Sequence, residues 1–294
     1  MTEPFRLAGV YSVLPTVFHD DGRLDLDGTA SVVRATRDAG VAGLTVLGVM
    51  GEAAELTEDE RRAVLACVTT AAPELPMVVG VSGDSADLVA SRADTAAASG
   101  AGALMVGASR GVGLGDAVRA AASAGRPIVI QDYPLGSGVT VTPSEIAEAA
   151  AAERLVVGVK AEGPPTSGTI AALRAVNPAL GLVGGLGGLF LIDELTAGAS
   201  GVMTGFALPE RLVSIVQTFP SDPVAAEGDW ERLLPLMRLE AFPPMSLAAR
   251  KEVWRLRGVI TSSRCRRTGA TLDDHARDDV RRACERVAAA LFSR

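Results

Sequence analysis

Lysine is scarce in this sequence, and its position is informative. The 294 residues contain 28 Lys and Arg together, and only Lys160 and Lys251 are lysines. Lys160 closes the apolar run Leu155-Val156-Val157-Gly158-Val159, and Glu162 follows two residues later. Arginine stays protonated and cannot serve as an amine nucleophile, whereas a desolvated lysine can lose its proton and attack a carbonyl carbon. A chain that uses arginine wherever plain positive charge suffices has kept Lys160 for chemistry arginine cannot do. The expected chemistry is a Schiff base with a keto group. Lys251, in Arg250-Lys251-Glu252 on a predicted helix, reads as structural.

Glu162 has two readings. If the strand continues past Lys160, both side chains share a face, and the carboxylate can shuttle protons while holding the ammonium charged. If the strand stops at Lys160, Glu162 is a loop residue. Three other segments offer ligands. Ile130-Gln131-Asp132-Tyr133-Pro134 puts Gln131 and Tyr133 on one face. Gly48-Val49-Met50-Gly51-Glu52 is a tight turn in which the backbone N–H groups of Met50 and Gly51 could hold a carboxylate. Gly184-Gly185-Leu186-Gly187-Gly188 lets backbone approach a ligand closely at Gly185, and a phosphate is one candidate there. Met203, at the end of a later apolar run, completes the candidate lining.

Composition excludes several alternatives. With only His19 and His275, a histidine-based metal site or a Ser-His-Asp triad has almost no material, and no cofactor is implied. Cys67, Cys265 and Cys284 lack CxxC spacing and read as reduced thiols. A net charge of −7 argues against nucleic acid as the main partner. Residues 250–294 are basic, however, and the run Arg264–Arg267 reads as a solvated helix face or a subunit contact rather than a polyanion patch. No apolar run is long enough to span a bilayer and no signal-peptide pattern opens the chain, so a cytoplasmic protein without membrane contact is expected.

The elements that hold these residues repeat. Eight short aliphatic runs, Gly9–Phe18, Gly43–Gly48, Met77–Val81, Ala103–Val106, Ile128–Ile130, Leu155–Val159, Gly181–Gly184 and Ser200–Thr204, alternate with Ala-rich helical segments. Aromatics are only 4% of the chain, which suits parallel strands built from aliphatics and buried on both faces. Helix starts are signalled by Asp27, by the capping box Thr57–Glu60, by Ser85, by Thr142-Pro143 and by Pro164-Pro165; stops are signalled by Gly40, Gly100, Gly125 and Gly198. An open doubly wound sheet would use fewer strands and a GxGxxG turn after the first, and none follows Phe18. The predicted fold is therefore an α/β (β/α)8 TIM barrel over residues 1–221. Residues 222–294 are predicted to pack on it as a C-terminal helical appendix with helices at Ala225–Glu240, Leu247–Arg257 and Asp274–Phe292. In such a barrel the site lies at the C-terminal ends of the strands.

Taken together, the residues resemble the dihydrodipicolinate synthase/N-acetylneuraminate lyase family of class I aldolases over roughly residues 8–260. The markers are Phe18-His19-Asp20-Asp21-Gly22, the Gly51-Glu52 turn with Leu56-Thr57 and Glu60-Arg61, Pro134, Val157-Gly158-Val159-Lys160, and Gly198-Ala199-Ser200-Gly201-Val202-Met203. The resemblance implies a Schiff base between Lys160 and a 2-oxo acid such as pyruvate, with a homotetramer as the common assembly. The departures matter too. Val49 and Met50 stand where the family carries a hydroxyl pair, Gln131 stands at its catalytic tyrosine, and Gly107-Ala108-Ser109-Arg110 holds no second tyrosine. Gly136 stands at the arginine that reads a second carboxylate in dihydrodipicolinate synthases. A lyase acting on another 2-oxo acid is expected, with Tyr133 or Glu162 in place of the missing tyrosine. The competing readings are a barrel that binds a metabolite without turnover and a phosphate-binding sugar aldolase using Gly184–Gly188.

Overall fold

The computed structural model describes residues 5–241 and 245–292. Eight parallel strands close into a barrel, β1 (Gly9–Val13), β2 (Gly43–Val46), β3 (Met77–Gly80), β4 (Ala103–Val106), β5 (Ile128–Asp132), β6 (Val156–Ala161), β7 (Gly181–Gly184) and β8 (Gly201–Thr204), with β8 paired back to β1. Every aliphatic run of the sequence supplies one strand. Alternation along them divides the core in two. Tyr11, Val13, Val78, Met105, Val129 and Met203 fill the barrel interior with their neighbours, while the residues between them face the helices in a larger outer layer.

The helices on the outside start and stop where local chemistry provides for it. They are α1 (Leu26–Asp38), α2 (Glu58–Ala71), α3 (Ala86–Ala98), α4 (Leu114–Ala122), the single turn α5 (Pro134–Ser137), α6 (Pro143–Ala152), α7 (Thr166–Val176), α8 (Leu191–Thr196) and α9 (Pro209–Thr218). Thr57 and Thr142 form complete capping boxes with Glu60 and Glu145, satisfying N–H groups that a helix end leaves bare. The first helix is capped by Asp25, not Asp27, because the Asp25 carboxylate accepts from the Gly28 N–H. Gly40, Gly100, Gly125 and Gly198 all have positive φ at helix ends.

Past the barrel come α10 (Pro223–Glu231), α11 (Leu234–Ala241), α12 (Ser246–Leu256) and α13 (Asp274–Phe292). The sequence pattern predicts one helix over 225–240; the structure has two. Pro235 has no N–H to donate to the preceding turn, so the helix restarts with Pro235 in its first turn. Trp230 anchors the break, its indole N–H donating to the Gly188 carbonyl at 2.9 Å.

A buried ion pair ties this extension to the barrel. Lys251 and Glu52 are both inaccessible, with Nζ 2.5 Å from Oε1. Glu52 has φ 51°, in the left-handed region, and its other oxygen accepts the backbone N–H groups of Arg266 and Arg267 at 2.7 and 2.8 Å. The basic run Arg264–Arg267 therefore departs from the solvated helix face expected of it. It is a loop clasped to the turn after β2, with Arg266 stacked over Phe18 and paired with Glu60 at 2.6 Å. That pairing holds the Glu60 carboxyl down at about 2. Among the described residues, no helix is long and apolar enough to cross a membrane.

Candidate active site

Lys160 lies in register between Gln131 on β5 and Val183 on β7. Val183 belongs to the barrel interior and Val159 to the outer layer, so alternation turns Lys160 inward at the C-terminal end of β6. Its side chain is buried at 5% exposure. The ladder does not stop there. The Glu162 N–H donates to the Asp132 carbonyl at 2.8 Å, which keeps the chain extended and brings Glu162 to the same face. Of the two readings of Glu162, the inward one is observed: Lys160 Nζ is 3.0 Å from Glu162 Oε2, with both side chains buried.

Glu162 is itself held from two sides. Gln131 Nε2 donates to Oε2 at 2.8 Å and the Leu186 N–H to Oε1 at 3.3 Å. Gly185 makes this possible. A Cβ there would sit 2.2 Å from Oε1, so no other residue leaves room for the carboxylate. Gly185 thus serves Glu162 and is not part of the cavity wall, a difference from its expected role against substrate. Leu186 adopts φ 42°, and Leu47 and Glu52, beyond β2, also have positive φ. Non-glycine residues in that region cost about 1–3 kcal/mol each and gather where a site needs backbone in a particular place.

Tyr133 follows β5, and its ring fills space that Gly136 leaves open: a Cβ at Gly136 would lie 2.1 Å from Cε1. Burial, reinforced by the Glu162 charge, pushes the phenol above its ordinary value. Tyr133 is therefore a proton donor at neutral pH, not a phenolate base. Asp132 points the other way, as alternation requires, and burial raises its carboxyl as well.

Val49 and Met50 join Lys160, Glu162, Gln131 and Tyr133 around a narrow cavity of about 50 Å³. Gly51 is set back from it, its N–H donating to the Gly48 carbonyl at 3.0 Å and its carbonyl accepting from Thr16 at 2.6 Å. Gly51 therefore has no N–H left for a substrate carboxylate. Met203 is fully buried among the interior residues and does not line the cavity. A residue that the sequence pattern does not single out does line it: Arg250, on α12. Its one signal is the triplet Arg250-Lys251-Glu252, three adjacent ionisable residues that are all buried. A second cavity of about 420 Å³ adjoins through Gly48, Val49, Met105, Gln131 and Tyr133 and includes Arg61, Arg92 and Arg267. Among the described residues, no group of three His, Cys, Asp or Glu could hold a metal ion.

Comparison with known proteins identifies the family. The model of the dihydrodipicolinate synthetase family matches residues 6–287. L-2-keto-3-deoxyarabonate dehydratase from Azospirillum brasilense is 30% identical over 277 residues, covering 89% of this chain and 88% of its own. Among solved structures, dihydrodipicolinate synthase from Rhodopseudomonas palustris superposes with a TM-score of 0.88 at 33% identity, over 95% of this chain and 97% of that one. A prophage protein of the same family from E. coli K12, solved in complex with pyruvate, has a TM-score of 0.88 at 22% identity, over 96% and 98%; at that identity it speaks to the fold alone. The chain belongs to the dihydrodipicolinate synthetase family and is a lyase of the aldolase/dehydratase kind.

Proposed function

We propose that the protein forms a Schiff base between Lys160 and a 2-oxo acid and then breaks a bond next to the imine carbon, with dehydration the favoured reaction. The observation that supports this most is the Lys160–Glu162 pair, 3.0 Å apart and buried at the C-terminal end of the barrel. Glu162 accepts a proton from the Lys160 ammonium, and the freed amine adds to the keto carbon. Glu162 passes that proton to the oxygen, then carries a second one from the nitrogen to it, and the oxygen leaves as water to give the iminium. Glu162, again a carboxylate, takes a proton from C3, and the electron pair of that bond flows into the iminium as an enamine. Expulsion of a C4 hydroxyl, protonated as it leaves, completes a dehydration; attack by C3 on an aldehyde would be an aldol step. Tyr133, protonated at neutral pH, is the candidate donor to the leaving hydroxyl. The name of the Azospirillum relative, a dehydratase, favours elimination. The absence of the family's arginine at Gly136 argues against dihydrodipicolinate synthesis.

This reading includes a cytoplasmic homo-oligomer, a tetramer by family resemblance; light scattering that gave only the 30.1 kDa monomer at micromolar protein would count against it. The mechanism is tested by mass spectrometry after borohydride reduction with a panel of 2-oxo acids. One ligand mass should appear on Lys160, and K160A should lose both label and turnover. Labelling elsewhere, or an active K160A, would overturn the assignment.

A further inference from the structure

The buried cation Arg250 has no role in the Schiff-base chemistry, yet it faces the same cavity. Its side chain starts on α12, outside the barrel, and passes close to glycines at the ends of β7 and β8. A Cβ at Gly205 would sit 3.1 Å from Nη1, and one at Gly187 would sit 3.5 Å from Nη2. Arg250 is 6% exposed. Its contact with Glu240 Oε2 is 3.5 Å long, and Nε makes no hydrogen bond. Among the described residues, no acceptor hydrogen-bonds any of its guanidinium N–H groups. Glu240 Oε2 also accepts the Ala207 N–H at 3.2 Å, and its Oε1 has no hydrogen-bond partner.

A buried guanidinium with its donors unfilled is costly unless something planar and anionic arrives to fill them. Arg250, Ser246 and Thr204 line the same cavity as Lys160. A 2-oxo acid joined to Lys160 can therefore present its far end to Arg250.

The geometry points to a substrate with two carboxylates: a 2-oxo diacid whose distal carboxylate is bound by Arg250. This inference rests on the Schiff-base reading and narrows its substrate class. Arg250 then does what the missing arginine at Gly136 does in relatives, but from the C-terminal extension. Glu240 acts as a positioning residue. Burial pushes its carboxyl up, and the neighbouring Arg250 opposes that rise. Arginine remains charged even where burial lowers its pKa.

The test is competitive borohydride trapping with chain-matched pairs: 2-oxoglutarate against 2-oxovalerate, and 2-oxoadipate against 2-oxohexanoate. The wild type should label Lys160 at a tenfold or lower concentration of at least one diacid than of its monoacid partner. In the double variant E240M/R250M, which replaces the buried pair with apolar side chains of similar length so that neither charge is left alone, that preference should fall to within twofold. R250K, which keeps the charge but loses the fork, should retain part of it. Equal trapping of diacid and monoacid by the wild type, or an undiminished preference in a cooperatively melting double variant, overturns the role of Arg250. Failure of every 2-oxo acid to label the wild type would instead overturn the Schiff-base reading itself.

Discussion

At the scale of single residues, the chemistry depends on which group takes the C3 proton. Glu162 is within 3.0 Å of the amine and fixed by Gln131 and the Leu186 N–H, whereas Tyr133 is held protonated by burial. E162Q preserves size and hydrogen bonding but removes the base. General acid–base groups contribute about 10²–10⁴-fold, so E162Q should slow C3–H exchange in D2O by at least about 100-fold, while borohydride still traps ligand on Lys160, more slowly because imine formation also uses Glu162. Exchange at the wild-type rate would move the base to another group. The place of Lys160 at the end of an apolar strand was legible in the sequence, because strand periodicity is a local property, whereas Glu162 had two readings that only the continued ladder past Lys160 separates. Arg250 was not. Its position depends on α12 folding back over the ends of β7 and β8, a contact between residues more than 40 positions apart. The roles expected of Gly51 and Gly185 were misjudged for a related reason: a glycine-rich turn signals close approach without saying whether a ligand or a neighbouring side chain does the approaching.

At the scale of elements, the strands were the most legible part. Buried parallel strands must be short and aliphatic, and all eight runs say so. The helix break at Pro235 was also written in the chain, but a continuous apolar period obscured it. The docking of Arg264–Arg267 was invisible, since a basic run carries no mark of the carboxylate that receives it. Here that carboxylate is Glu52, 199 residues from Lys251 along the chain. K251M should therefore leave Glu52 buried with backbone donors alone. Removing one partner of a buried pair costs about 3–5 kcal/mol, and denaturant unfolding of K251M should show a loss of that order. K251M/E52Q, which removes the charge on both sides, should recover part of it. A loss under about 1 kcal/mol, the scale of an exposed pair, would mean that the clasp contributes little to holding the extension on the barrel.

At the scale of the whole molecule, an acid buried in the layer between strands and helices shapes the response to pH. Glu194 on α8 is fully buried against the bare Cα of Gly184, and neither carboxylate oxygen has a hydrogen-bond partner of normal geometry. Burial pushes its carboxyl from 4.5 up to about 7, with Thr166 opposing only in part. The folded protein thus holds a proton on Glu194 that the unfolded chain releases near its ordinary value. Below pH 4.5 both states are protonated and the stability is fully present. As pH rises from there through about 7, the unfolded state ionises first and stability falls. A tenfold difference in proton affinity between the folded and unfolded states is worth about 1.4 kcal/mol. Glutamine cannot ionise, so the stability of E194Q relative to wild type should climb by roughly 2–3 kcal/mol between pH 5 and pH 8, whatever its offset at pH 5. Thermal or denaturant melts of both proteins at the two pH values measure that difference directly. A difference independent of pH would show that Glu194 titrates in the fold as it does in the unfolded chain.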